Sequence, residues 1–373
     1  MSTSAKHLPA EIESKAKEIH TDAYPMSIGE LLSIYKEGEL DIHPEFQRFF
    51  RWSSLQKSKF IESILLGIPI PSIFVSQRDD GIWDVVDGVQ RLSTIFEFLG
   101  VLKNEDGKTV TPSRLVGTEY LPSLEGIAWE DEDSPEHAFP NSLQIDFKRQ
   151  KLDLKIIKKE SDENTKYDLF ERLNTLGSQL SDQEVRNCLL VMINREFFQW
   201  LERRTSSNDF QSCIALTDRA MQERYDMELV LRFLVFSRAK ARDLQGIKDV
   251  GAYLTTNMRA IATAKKFDMK AAKEVFDKTF TGLYKVLGSD CFARQDSGRG
   301  RGGFLISVFE VIAIGLGSYL WADPSLDVDS SKIKHVHKHL WDNADFKQYS
   351  KSGVSASSRI PRLIPLGRKL FAE

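Results

Sequence analysis

The sequence predicts an α+β fold in two parts, a small α/β domain over residues 24–190 and an all-helical domain over 191–373. Two observations carry that prediction. The convincing strand patterns all precede residue 190: the run from Ser72 to Gln77, its return from Ile82 to Val86, and the alternation of Leu152, Leu154 and Ile156 with polar residues between Lys151 and Lys158. Beyond residue 190 the apolar spacing is helical throughout, and no strand-like alternation recurs.

Each element has a local cause. Residues 1–23 read as a variable, partly helical lead-in that lacks the apolar core of a signal peptide. Ser27-Ile28-Gly29-Glu30 has the pattern of a capping box and opens a helix to about Lys36, which Gly38 ends. Ser53-Ser54-Leu55-Gln56 opens a second helix. Its Phe60, Ile61, Ile64 and Leu65 share a face, and Gly67 and Pro69 stop it. Asp79-Asp80-Gly81 turns the hairpin. The helix following Arg91 turns Ile95, Phe96 and Leu99 inward.

Residues 103–142 read as a loop-rich insertion, exposed where Glu130-Asp131-Glu132-Asp133-Ser134-Pro135 is acidic. Tyr167 to Thr175 is expected to be helical, and a capping box at Ser181-Asp182-Gln183-Glu184 opens a helix through Met192. Further helices are expected at roughly 194–204, 217–239, 247–265, 270–287, 304–321 and 331–342. The apolar stretch from Phe304 to Trp321 contains Glu310, Gly315 and Gly317, which suits a buried core helix better than a membrane span. No internal repeat is visible.

Composition narrows the function classes. The 373 residues are 41% hydrophobic and 28% charged, as in an ordinary globular chain, with a formal net charge of −3. The charge is uneven: residues 331–373 carry nine Lys and Arg against three acids, so this segment is +6 and the remainder −9. A basic tail on an acidic body suits a phosphate backbone or a solvated helix face equally well. Cys188, Cys213 and Cys291 are far apart and form no Cys-x-x-Cys pair, so neither a zinc site nor a disulfide framework is suggested. A soluble cytoplasmic protein, with no membrane partner, is the expectation.

The chemistry is concentrated at Asp84-Val85-Val86-Asp87-Gly88-Val89-Gln90-Arg91. A strand runs into Asp-Gly and leaves as a helix, which places a carboxylate, unpartnered N–H groups, an amide and a guanidinium at one corner. Helix N-termini favour anions, and arginine offers a fork of donors to phosphate oxygens. Gln47, Arg48 and Arg51 precede another helix and could converge on the same crevice. Asp87 can hold a metal that bridges phosphates, orient water, or hydrogen-bond a ribose or base. Read structurally instead, Asp87 caps the helix and Arg48 pairs with a core acid such as Glu62. Asn174 before Gly177 can simply end a helix, and Arg186 can point into the crevice or form a structural ion pair. Arg299 and Arg301, in the Gly- and Arg-rich run Asp296 to Gly303, and Arg362 and Arg368 in the tail are candidates for DNA phosphates. That run lacks the Lys-Ser/Thr ending of a P-loop. His335-Val336-His337-Lys338-His339 places only His335 and His339 on one helical face and reads as a solvated basic helix.

Four boxes carry a resemblance. Asp87-Gly88-Val89-Gln90-Arg91 resembles the Asp-Gly-Gln-Gln-Arg motif of the domain of unknown function 262, the amino-terminal module of GmrSD-type modification-dependent restriction proteins. Pro44-Glu45-Phe46-Gln47-Arg48 with Arg51-Trp52 resembles a second box of that family. Phe60 to Pro71 resembles a third, and Phe170 to Gly177 with Leu180-Ser181 and Glu184-Val185-Arg186 a fourth. Val89 stands where Gln is usual, and Leu176 where a second Gly is common; both leave the charged residues in place.

The resemblance implies a ParB/sulfiredoxin-like fold over residues 24–190, with nucleotide binding and hydrolysis. Asp87 and Arg91 would be its catalytic residues, and Gln47, Arg48, Arg51, Gly88, Gln90, Asn174 and Arg186 its nucleotide-binding ones. The implied ligand is a nucleoside triphosphate with Mg2+ on Asp87. The implied partners are DNA and a separate nuclease or other defence subunit, since no His-Asn-His nuclease pattern is evident in this chain. Two readings follow. One is a nucleotide-binding, NTP-hydrolysing sensor of a DNA-directed defence system. The other is a ParB-like DNA-binding protein with a non-hydrolytic pocket. The departures at Val89 and Leu176 favour the second, and the retained charged residues favour the first.

Overall fold

A computed structural model describes residues 7–16, 20–42, 52–104, 106–161, 181–293 and 302–373. The chain divides into two compact units, Met1–Gln179 and Leu180–Glu373.

The first unit is built on a five-stranded mixed sheet of order β1-β5-β3-β4-β2, which bears out an α+β class. The strands are β1 (Thr21–Ser27), β2 (Leu40–Asp41), β3 (Ile73–Gln77), β4 (Trp83–Asp87) and β5 (Lys151–Ile157). The helices are α1 (Leu8–Ala16), α2 (Ile28–Lys36), α3 (Ser54–Leu66), α4 (Val89–Phe98) and α5 (Asn141–Arg149). β3 and β4 form the expected antiparallel hairpin, closed by Arg78 N donating to Ile82 O at 2.9 Å. β5 runs parallel to β3 and buries Leu152, Leu154 and Ile156. Both helices begin where read, though the box at Ser27 forms only its first half. Ser27 accepts from Glu30 N, and the Ser53–Gln56 capping box is reciprocal; Gly67 then ends α3 at φ 67°.

Two expectations need correction. Residues 21–23, read as the end of the lead-in, join 24–27 to form β1, antiparallel to β5 from Thr21↔Ile157 to Ser27↔Lys151. β1 shows no apolar alternation, because only Met26 is buried and Pro25 sits on an edge, where its missing N–H is tolerated. The 103–142 segment is loop-rich, but it is not merely an exposed insertion. Trp129 and Phe139 pack with Phe98 and Phe147 at ring separations of 5.5–6.3 Å. The Asp131 side chain, 4% exposed, pairs with Arg114 at 2.8 Å, while Glu130, Glu132 and Asp133 stay at the surface.

The second unit is helical: α6 (Asp182–Ile193), α7 (Arg195–Thr205), α8 (Asn208–Ile214), α9 (Asp218–Gln222), α10 (Tyr225–Arg238), α11 (Ala241–Leu244), α12 (Val250–Thr263), α13 (Met269–Leu287), α14 (Ile306–Ala322), α15 (Ser330–His339), α16 (Ala344–Tyr349) and α17 (Ala356–Ala372). The helix expected over 217–239 is broken at Arg224, whose φ of 56° is left-handed. α14 is the core helix foreseen, and among the described residues no helix is long and apolar enough to cross a membrane. The residues read as a tail include α17, a helix despite Pro361 and Pro365 in its interior. Packing overrides the proline penalty. α17 buries Ile360, Leu363, Ile364 and Phe371, and Gly367 meets Gly315 of α14 so closely that a Cβ on Gly315 would lie 2.7 Å from the Gly367 carbonyl carbon. Beside this crossing, Glu310 is 0% exposed and takes a two-pronged pair from Arg359, at 2.6 and 3.0 Å.

Two outcomes follow from this packing. Gly367→Ala should destabilise the protein by ~1–3 kcal/mol or more, because the new Cβ overlaps the Val311 carbonyl oxygen; urea unfolding measures it. His337 is buried, and its Nε2 has no hydrogen-bond partner among the described residues. Burial pulls its pKa below 6.5, against an opposing pull from Asp290. The unfolded chain therefore takes up this proton first. Stability should be highest above 6.5 and should fall as pH drops through 6.5 towards the folded value. His337→Gln should show a shallower loss than wild type between about pH 7.5 and about pH 5 in the same unfolding experiment.

Candidate functional site

The strand-to-helix corner forms in the first unit, and glycine makes it possible. β4 ends at Asp87, Gly88 takes φ 102°, and α4 begins at Val89. Only glycine adopts that φ readily. A Cβ there would also sit 3.0 Å from Ile73 Cγ1 and 3.4 Å from Arg91 Nη2. Gly88 has no side chain, so the N-cap residue of α4 supplies no capping oxygen. Opposite Asp87, the β3–β4 register shifts between Phe74 and Val75, an irregularity of the kind that re-aims side chains at strand ends.

Arg91 is the hub. Its Nη2 pairs with Asp87 Oδ2 at 2.7 Å, one helical turn away. Its Nη1 donates to the carbonyls of Pro71 and Ser72, the latter at 3.1 Å. The Arg91 side chain is 12% exposed and that of Asp87 31% exposed, so the carboxylate is the accessible half of the pair. Gln90 accepts from Trp52 N at 3.1 Å, which ties the start of α3 to the start of α4. Trp52 in turn packs edge-on against Phe60, at 5.4 Å.

Three of the four boxes therefore have residues meeting at this corner: Asp87, Gly88, Gln90 and Arg91 from one, Trp52 from the second, and Phe60 and Pro71 from the third. The Pro71 and Ser72 carbonyls and the Trp52 N–H had not been singled out. The signal was Ile68-Pro69-Ile70-Pro71, where proline keeps the preceding residue extended.

Gln47, Arg48, Arg51, Asn174, Arg299 and Arg301 lie outside the described residues. Glu62, the core acid considered for Arg48, is buried and accepts from Thr118 Oγ1 and from Leu121 N at 3.0 Å. Arg186 lies in the second unit with a side chain 2% exposed. It donates to Gln183 Oε1 at 2.8 Å and pairs with Glu228 at 2.6 Å, the structural ion pair weighed above. Burial pulls its guanidinium below the usual arginine range, and Glu228 and Asp182 oppose that. Arg362 lies over the Tyr349 ring at 5.8 Å. Arg368 points inward and donates to Ser318 Oγ at 3.1 Å and to the Phe236 and Ala239 carbonyls at 2.7 Å each.

The corner can accept a cation and an anion together. Asp87 Oδ1 has no hydrogen bond among the described residues, and the first-turn N–H groups favour negative charge. Among the described residues no group of three or more His, Cys, Asp or Glu gathers to enclose a metal. One carboxylate beside phosphate oxygens and water suits Mg2+, which keeps much of its hydration and rarely needs an all-protein cage.

Residues 28–191 match the family described as GmrSD restriction endonuclease, N-terminal domain, and this part of the chain is a domain of that family. The match runs from the start of α2 into α6 and includes the whole corner. No curated protein and no solved structure matches the chain.

The geometry makes Gly88 the least replaceable residue of the corner. Gly88→Ala should cost more than ~1 kcal/mol, since it adds left-handed strain to the contact with Ile73. A shift in the thermal unfolding midpoint checks this, and an unchanged midpoint would contradict the conformation assigned to Gly88.

Proposed function

We propose that this chain is a nucleotide-binding regulatory or sensor module of a restriction-like, DNA-directed system, most plausibly one of phage defence, and that the Asp87–Arg91 corner receives the polyphosphate of a nucleoside triphosphate. The observation that carries the reading is a helix N-terminus without a side-chain cap, set between an accessible carboxylate and an arginine. Restriction-type membership of residues 28–191 supplies the setting, with DNA and a nuclease or other defence subunit as partners.

The residues have distinct roles in this reading. The start of α4, at Val89, binds phosphate oxygens, and Arg91 neutralises their charge. Asp87 would hold Mg2+, which screens the polyphosphate from the carboxylate when bound. Without a cation, Asp87 repels the phosphates, so binding should depend on magnesium. Where turnover occurs, Asp87 orients the attacking water. Gln47, Arg48, Arg51 and Asn174 complete the site. Of the tail arginines, Arg362 remains the candidate for DNA phosphate, because the Arg368 donors already have acceptors within the fold.

One observation favours the second reading, a DNA-binding protein with a non-hydrolytic corner: Arg91 already satisfies three acceptors of its own chain.

Calorimetric titration with each nucleoside triphosphate, with and without magnesium, separates the two. Arg91→Ala should weaken binding by roughly ten- to 150-fold, the equivalent of losing ~1.5–3 kcal/mol of charge-assisted bonding. Asp87→Ala should reduce turnover more than binding and should remove the magnesium dependence. Equal binding by wild type and Arg91→Ala, or binding by neither, would leave the corner a purely structural device.

A further inference from the structure

The helical unit carries a cation that is held in place without a counter-charge. Arg238, the last residue of α10, lies between two aromatic rings, with its guanidinium carbon 5.1 Å from the Phe267 centroid and 5.1 Å from that of Trp321. Such contacts fix the plane of the guanidinium and leave its N–H edges free to point outward. Among the described residues Arg238 makes no hydrogen bond and no ion pair, and the residue is exposed, so its N–H edges are open to a ligand. Burial pulls its pKa below the usual arginine range, and no carboxylate offsets that cost. The contrast with Arg186, Arg232 and Arg359 is sharp: each of those has a glutamate within 2.8 Å.

The surroundings reinforce the charge. Lys265 and Lys266 immediately precede Phe267, and Lys240 lies two residues beyond Arg238; all three are exposed. Asp268, the acid next to Phe267, is occupied in capping α13 through Lys270 N and Ala271 N. The division into compact units sharpens the picture further. Residues 1–179 carry 21 Lys and Arg against 31 acids, a net −10, whereas residues 180–373 carry 30 against 23, a net +7.

We infer that Arg238, clamped between Phe267 and Trp321 and flanked by Lys240, Lys265 and Lys266, is a phosphate receptor that grips a nucleic-acid backbone. A rigid guanidinium without a partner loses little freedom when it meets a phosphate, and flexible lysines around it extend the contact along a chain of phosphates. The site uses none of Arg299, Arg301 and Arg362. It rests on the DNA-directed half of the proposed function and not on the nucleotide corner.

Fluorescence anisotropy of the full chain with labelled DNA of about 20 nucleotides, single-stranded and duplex, tests this at several salt concentrations. Wild type should bind, with affinity falling steeply as salt rises. Arg238→Gln should weaken binding about tenfold, and Arg238→Lys, which keeps the charge but loses the planar fork, by less. Lys265→Gln/Lys266→Gln alters only exposed side chains, so its fold is secure; it should weaken binding and flatten the salt dependence. Calorimetry with inorganic phosphate distinguishes the source of the phosphate: tight binding of the free ion with no DNA binding overturns the inference. Unchanged DNA affinity in both Arg238→Gln and the double lysine variant also overturns it. Magnesium-dependent nucleotide titration of Arg238→Gln should match wild type, so the two sites fail or hold separately.

Discussion

One guanidinium organises the strand-to-helix corner of the first unit. Arg91 joins the end of β4, through Asp87, to the chain entering β3, through the Pro71 and Ser72 carbonyls. The hairpin register ends at Phe74↔Asp87, and Pro71 and Ser72 precede β3. Proline at 69 and 71 removes donors from that entry segment, so its carbonyls need a partner from elsewhere. The same pair sets the local electrostatics. An arginine already balanced by a carboxylate is a modest anion receptor by itself, and a cation on the exposed carboxylate oxygen would shift that balance towards phosphate. The uncapped first turn of α4 acts in the same direction, because Gly88 cannot supply an oxygen to its N–H groups.

The helical unit is governed by a different constraint, the close crossing of α14 and α17. Gly315 and Gly367 bring two backbones together, and Gly317 leaves room for the Phe233 ring. Close approach buries Glu310 completely, and a buried carboxylate requires a partner, which Arg359 supplies with two bonds. Arg232 and Glu228 continue the pairing to Arg186, so charges from four helices are neutralised inside the unit. Arg186, Arg232 and Arg359 are thereby committed to the fold. Arg238 differs from these three, and the phosphate inference turns on it, since the contacts it makes are with two aromatic rings.

The legible parts of the sequence were those with local causes. The Ser53 and Ser181 capping boxes, the turn at Gly81 and the alternation in β5 all depend on neighbours within a few residues, and all formed as read. At the corner, residue types and chain order indicated that Asp87, Gly88, Gln90 and Arg91 act together. They could not indicate that Arg91 bonds to carbonyls 19 and 20 residues back, nor that Gln90 reaches Trp52 across 38 residues. Side-chain direction at such separations follows from the packing of α3 and α4 and from the register of β3 on β4.

By itself the sequence determined the class of those elements with local causes, the order of an α/β part before a helical part, and the grouping of Asp87, Gly88, Gln90 and Arg91. Tertiary structure alone decided three things. Residues 21–27 became a strand because β5 offered an edge, which overrode their weak pattern. Residues 356–372 became a helix across two prolines because a glycine-lined face of α14 buried their apolar side. The roles of the arginines were settled by whether an acceptor lay within reach. Arg186, Arg359 and Arg368 found acceptors inside the unit and Arg238 found two aromatic rings, a distinction that depends on which helices meet and not on residue type.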